Sequence, residues 1–232
     1  DIVWPEKAAF AIEEYIFARF YMYQNVYLHK TTRGFEKLVE AMWARARSLR
    51  ELGIDVDLVP AIAEYWNASS PTVEQYLRME EFTVLQQIQQ WQGHNDRTLS
   101  DLASRLLNRN RLVMIEPPPC GDGLDDEYQD WEAALVKIVK RAGYDSPEAY
   151  CLRDTLKGKY YQPYFPEKES DEQSAKNAIR ISVPGEAEPV EISQLLSRLR
   201  PITTESRDHI RYYIPDNVIP AAIKLKSTWK LK

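Results

Sequence analysis

From Pro5 to Ala142 apolar residues recur at intervals of three and four, a spacing that predicts a succession of helices. The first is expected to start near Pro5, a favoured first-turn residue, and to run to about Lys30. A second, Thr31 to Leu52, places Phe35, Leu38, Val39, Met42, Trp43, Ala46 and Leu49 at helical spacing and stops at Gly53. Gly34 weakens the expectation of one continuous rod through both. Further helices are expected at Pro60 to Trp66, Thr72 to Tyr76, Glu80 to Trp91 and Thr98 to Asn108. Another, Asp126 to Ala142, has Trp131, Leu135, Ile138 and Val139 on one face and Gly143 after it. One strand, Leu112 to Glu116, interrupts the series and is stopped by Pro117-Pro118-Pro119.

The pattern changes near Tyr150. Strands are expected at Tyr150 to Arg153, Ala178 to Val183, Val190 to Ile192 and Ile210 to Ile214, with a short helix at Ser193 to Leu199. The polar run EKESDEQSAK, Glu167 to Lys176, reads as an exposed connection. The expected fold class is therefore mainly α: a helical lobe with a long N-terminal helix over residues 1–145, then a small α+β lobe over 146–232.

Composition narrows the class. The 232 residues are 44% hydrophobic and 28% charged, as in a globular domain with a core of its own. A net charge of −5 speaks against nucleic acid as a bulk partner, so any anion site is local. Cys120 and Cys151 are too few for a disulfide framework and lack metal-ligand spacing, which points to a reducing, cytoplasmic setting. No apolar run approaches the ~18 residues of a membrane span, and no membrane partner is expected. The chain opens on Asp-Ile-Val-Trp-Pro without an initiator Met, and an amphipathic helix follows at once. It reads as a piece of a longer protein.

The candidate chemistry lies in Glu13 to Arg33. At about 100° per residue, a helix puts Arg19, Tyr23, Tyr27 and Lys30 along one flank, with Arg33 near it and His29 to the side. Arg supplies a fork of donors for phosphate oxygens, Lys a point charge, and Tyr a stacking ring with a hydroxyl. Such a row fits an extended anionic ligand; it also fits an interface helix with half-buried tyrosines and paired cations. The later Arg45, Arg47 and Arg50 read as solvated helix charges.

The string ARFYMYQNVYLHKTTRGFEKL, Ala18 to Leu38, resembles the helix after the catalytic core in HD-domain deoxynucleoside triphosphate triphosphohydrolases and related bacterial HD phosphohydrolases, which implies a deoxynucleoside triphosphate or a related phosphoester as ligand. Family members carry a pattern like AR-x-x-MY-x-x-VY-x-HK-x-x-R there. YLRMEEFTVLQQIQQWQ (76–92) and LASRLLNRNRLVMIE (102–116) are similar to the helices and strand that follow. YYQPYFP (160–166) and the segments between Asn177 and Pro215 look like the family's small C-terminal lobe. The likeness spans residues 5–215.

The resemblance implies that Arg19 binds a substrate phosphate and that Tyr27 lines the pocket beside a deoxyribose. Tyr23 stands where some members have a pocket His. His29, Lys30 and Arg109 match residues that hold an activating nucleotide between subunits, so a nucleotide and further copies of the chain are the implied partners. Two departures, Asn25 for Arg and Val113 for Lys, remove cations from that second set. The family's divalent metal is held by a His…His-Asp…Asp set. The histidines here are His29, His94 and His209, with no His-Asp pair, so the metal site is expected in a missing N-terminal part and the fragment alone is expected to be inactive. Asp208-His209 reads as surface and His94 as a turn residue. The acidic run Gly121 to Asp130 has Leu124 where a calcium loop needs an oxygen, and reads as helix capping by Asp125 or Asp126. Two other classes stand beside this reading: a helical interaction or assembly module, and a single-strand nucleic-acid binder, which the acidic net charge disfavours.

Overall fold

A computed structural model describes residues 2–119, 125–156, 178–199 and 209–229. Tyr160 to Pro166, the loop at 167–176, Cys120, the Gly121 to Leu124 part of the acidic run, and Asp208 lie outside them. So do the side chains of Asp125, Asp126 and His209. Among the described residues the fold is mainly α, with two small three-stranded sheets.

The helices are α1 (Ala9–Met22), α2 (Lys30–Glu51), α3 (Pro60–Asn67), α4 (Val73–Leu77), α5 (Glu81–Trp91), α6 (Arg97–Leu107), α7 (Asp125–Arg141), α8 (Ile192–Leu195) and α9 (Ile219–Thr228). The strands are β1 (Val3–Pro5), β2 (Val113–Ile115), β3 (Leu152–Leu156), β4 (Arg180–Ser182), β5 (Val190–Glu191) and β6 (His209–Ile214). Elements with strong periodicity fall where the sequence places them. Three differences are instructive. The expected first helix is broken: Pro5 ends a strand, Glu6–Ala8 is a 3-10 turn, α1 stops at Met22, and Tyr23–Tyr27 is a π-turn. Tyr150 ends a 3-10 turn, and the strand starts at Leu152. Helix α9, past the last expected element, docks Trp229 edge-on against Trp131, with ring centroids 5.2 Å apart.

The chain divides into two compact units, each built from separated segments: residues 1–29 with 155–209, and residues 30–154 with 210–232. The expected division into consecutive lobes at about residue 145 is not this one. A local composition change marks where strands begin, whereas compactness depends on which distant segments pair.

The larger unit is centred on α2, whose Leu38, Ala41, Met42, Ala46 and Leu49 are buried at helical spacing. Helix α6 packs against it with Leu99, Leu102 and Ala103, all fully buried. Gly34 lies within α2 and does not break it. The sheet β2-β6-β3 closes the same core: Met114 pairs with Tyr213 and Ile115 with Tyr212 in an antiparallel ladder. The 55–59 loop is held by side chains of α5. Trp91 Nε1 donates to the Val56 carbonyl at 2.6 Å, and the fully buried Gln87 accepts from Val59 N at 2.8 Å and donates to the Asp57 carbonyl at 3.0 Å. His94 is a turn residue, as expected: its Nδ1 accepts from Asp96 N at 2.9 Å, and its Nε2 lies 3.0 Å from the Asp55 carbonyl.

In the smaller unit β1 runs parallel to β4, with Val3 opposite Arg180, and β4 pairs antiparallel with β5. Ile16 of α1, Ile181, Ile192 and Leu199 form its core. Helix α1 buries only Ala9, Glu13 and Ile16, one narrow stripe. Glu13 has its charge met by Arg198, Nε to Oε1 at 3.3 Å.

Candidate anion-binding site

The end of α1 arranges three of the sequence-selected residues into a column. Arg19 Nη2 donates to the Tyr23 hydroxyl at 3.3 Å, and the guanidinium carbon lies 5.1 Å from the centre of the same ring. Tyr23 in turn packs on Tyr27, with centroids 5.1 Å apart and planes inclined at 49°. The first contact follows from the i, i+4 spacing of an α-helix. The second involves the π-turn, in which Leu28 N bonds the Tyr23 carbonyl at 2.7 Å, five residues back. Turns of this kind widen the helix by one residue and recur at functional sites.

The column has a free end. Arg19 has no carboxylate partner among the described residues, so the donors it does not spend on Tyr23 remain open. Tyr27 is 53% exposed and offers both a ring and a hydroxyl. A guanidinium on an aromatic face gains from the ring quadrupole while keeping its fork of N–H groups for an oxyanion. The arrangement suits a phosphate followed by a flat or cyclic group.

The helix that carries the row ends before Lys30. The π-turn and the break at Leu28 and His29 end the helix, and Lys30 starts α2 in the larger unit. His29 occupies the break, its N–H on the Val26 carbonyl at 3.4 Å. Arg33, counted near the same flank, is engaged by the buried Asp154. That hydrogen bond, against the opposing effect of burial, holds the guanidinium pKa above its ordinary value.

Arg109 sits just past α6 with φ 55°, in the left-handed region that favours glycine. The local bonds explain it. Asn110 N reaches the Arg105 carbonyl at 2.8 Å and Arg109 N the Leu106 carbonyl at 3.2 Å, the two bonds of a Schellman motif. The loop this creates carries Arg111, whose Nη1 donates to Thr31 Oγ1 at 2.9 Å. Lys30 and Arg109 thus belong to neighbouring segments within the larger unit. Arg111 and Thr31, which tie those segments together, were not singled out by the sequence, since a single side-chain bond across the fold leaves no local signal.

The remaining arginines have separate roles. Arg45 forms a two-point pair with Asp96, Nε to Oδ1 at 3.0 Å and Nη2 to Oδ2 at 2.6 Å. Arg50 bonds Asn67 Oδ1 at 2.6 Å. Among the described residues no group of three or more His, Cys, Asp or Glu side chains is placed to hold a metal ion. No helix among them is long and apolar enough to cross a membrane.

No protein-family profile matches the chain. It is 30% identical over 171 residues to the uncharacterized protein YwfO of Bacillus subtilis (strain 168), an alignment covering 74% of this chain and 38% of that protein. Its structure matches that of a phosphohydrolase from Bacteroides thetaiotaomicron VPI-5482 with a TM-score of 0.64 and 20% identity, over 91% of this chain and 51% of the other. The chain thus shares its fold with part of that protein. It spans about half the length of that protein.

Proposed function

We propose that this chain is the phosphate- and sugar-contacting part of a metal-dependent HD-domain phosphohydrolase that acts on deoxynucleoside triphosphates. Arg19 takes a substrate phosphate, Tyr27 packs beside the sugar, and Tyr23 holds the two in line. Lys30 and Arg109 contribute to an effector-nucleotide site completed by another copy of the chain, in a cytoplasmic homo-oligomer, and His29 also contacts an effector nucleotide. The observation that carries the reading is the Arg19–Tyr23–Tyr27 column, with a guanidinium that no carboxylate neutralises among the described residues. The motif around it and the fold shared with a phosphohydrolase support it. The described residues do not fit a divalent metal. The reading gives this chain binding and orientation, and assigns the divalent metal and the hydrolytic step to the metal core of the parent protein.

The test is a calorimetric titration of the chain with inorganic triphosphate, a deoxynucleoside triphosphate and the matching deoxynucleoside. Arg19→Ala is expected to remove the response to both phosphate ligands. Tyr27→Ala is expected to leave triphosphate binding and to remove the additional affinity of the nucleotide. Identical isotherms for the parent and both variants would sink the assignment.

A second reading, an interaction or assembly module, has its own observation. Phe10, Tyr15 and Tyr21 of α1 are 64%, 61% and 56% exposed, aromatic side chains on more than one face of the helix that a partner would cover. Under that reading Phe10→Glu with Tyr15→Glu changes the sedimentation coefficient, and nucleotides do nothing.

A further inference from the structure

We infer that the larger unit carries a second binding site, independent of the Arg19 column, for a small apolar anion: a flat aromatic or alicyclic body bearing one carboxylate or sulfonate. The site is a pocket of about 430 Å³ among α2, α3 and the start of α5. Its size lies within the range of about 300–1,000 Å³ that small-molecule pockets occupy.

The walls select a flat apolar body. Trp43 and Trp66 face the pocket with ring centroids 5.5 Å apart and planes inclined at 50°, and Ile62, Tyr65, Met79 and Val84 add to its apolar wall. Trp43 is fixed from behind by the fully buried Trp91, edge to face at 4.6 Å. Rigid indole faces receive a planar ligand at small entropic cost, and the Met79 thioether adapts to its outline.

The charges select an anion. An aromatic cage can also hold a quaternary ammonium, and that alternative is decided by the lining. Among the described residues no carboxylate lines the pocket, and Arg47 does. Arg47 lies one helical turn beyond Trp43, is exposed, and makes no ion pair or hydrogen bond among the described residues. Arg50 already lies over the Trp66 ring at 5.0 Å, anchored by Asn67, so one face of that indole is taken by a cation. A cationic ligand would meet the Arg47 guanidinium and no counter-charge among the described residues; an anionic one would meet the unpaired Arg47.

The matched probes are 8-anilinonaphthalene-1-sulfonate and its uncharged counterpart N-phenyl-1-naphthylamine, followed by dye fluorescence and by quenching of tryptophan. Saturable binding of the sulfonate to one site is expected. Arg47→Met, a change on the exposed side of α2, should weaken the sulfonate about tenfold and leave the neutral dye within about twofold. Val84→Trp fills the pocket and should abolish binding of both dyes. Met79→Trp, from a loop, does the same if Val84→Trp is too unstable to fold. The inference is overturned if binding does not saturate, if Arg47→Met affects both dyes equally, or if neither filled variant loses them. Nucleotide binding at Arg19 should be unchanged in Arg47→Met, so the two sites fail or succeed separately.

Discussion

Arg33 and Asp154 are joined by two parallel hydrogen bonds, Nε to Oδ2 at 3.1 Å and Nη2 to Oδ1, with the carboxylate fully buried and the guanidinium held also by Glu36 at 2.5 Å. A side chain that the helical row offers as an anion ligand is therefore already bound to an anion of its own. Its role is to tie α2 to β3, and the fork geometry explains why an arginine occupies the position.

Arg33→Ala strands the Asp154 carboxylate without its partner and is expected to destabilise the larger unit by about 3 kcal/mol, the low end for breaking a buried pair. Arg33→Lys keeps the charge but loses the fork and should recover only part. Arg33→Met combined with Asp154→Leu should recover most of the loss. Urea unfolding of the four proteins measures this; equal stability of Arg33→Ala and the parent would show that the pair is not structural.

Asp96 serves as N-cap of α6, accepting from Leu99 N at 2.8 Å, and as partner of Arg45. Burial acts to raise its carboxyl pKa, but the Arg45 hydrogen bond, the Leu99 amide and the Arg45 charge outweigh it and bring the pKa below the usual value. A depressed carboxyl contributes stability above its unfolded pKa of about 3.9 and loses it as pH falls through the folded value. Asp96→Asn, which keeps the cap, is expected to cost about 1 kcal/mol at pH 7 after solvent screening. The gap should close as pH drops below about 4. A gap that persists or widens in acid contradicts the assignment.

Cys151 is 5% exposed, and burial pushes its thiol up to about 12, helped by the negative charges of Glu132 and Glu148. In a Cys120→Ser background, iodoacetamide at pH 8 should label it only as fast as the unit opens. The rate should therefore rise with urea in parallel with unfolding. Labelling at the rate of a free thiol in native buffer would refute this.

At Gly34 an added Cβ would lie 3.1 Å from both Cδ1 and Cε1 of Tyr213, a ring buried in the core. Alanine gains about 1 kcal/mol in helix propensity over glycine. Pressing a methyl into a closed core costs about 1–3 kcal/mol. Gly34→Ala is expected to lower Tm by about 2–4 °C, a net loss near 1 kcal/mol. A rise in Tm would mean that the Tyr213 ring yields freely.

Much of the fold was legible because helix-forming information is local. The buried stripe of α2 (Leu38, Met42, Leu49) and that of α6 (Leu99, Leu102) follow from spacing alone, as does the stop at Gly53, which takes φ 75°. The contact of Arg19 with Tyr23 is of the same kind, four residues apart on one helix. The π-turn at Tyr23–Tyr27 was not legible: YQNVY has the periodicity of the helix it interrupts, and a separate helix starts at Lys30.

What the sequence by itself determined is most of the helices and strands and the contact of Arg19 with Tyr23, since each depends on residues within a few positions of one another. Only the tertiary structure decided which cations are free. Arg33 is claimed by Asp154 and Arg45 by Asp96, while Arg47 stands open in an aromatic pocket. It also decided that Val3 pairs with Arg180, which joins the first residues of the chain to a segment far along it. The physical reason is the same in both cases. A salt bridge or a strand pair is set by where the folded chain brings its partner, and the partner's position leaves no mark on the residues beside the first.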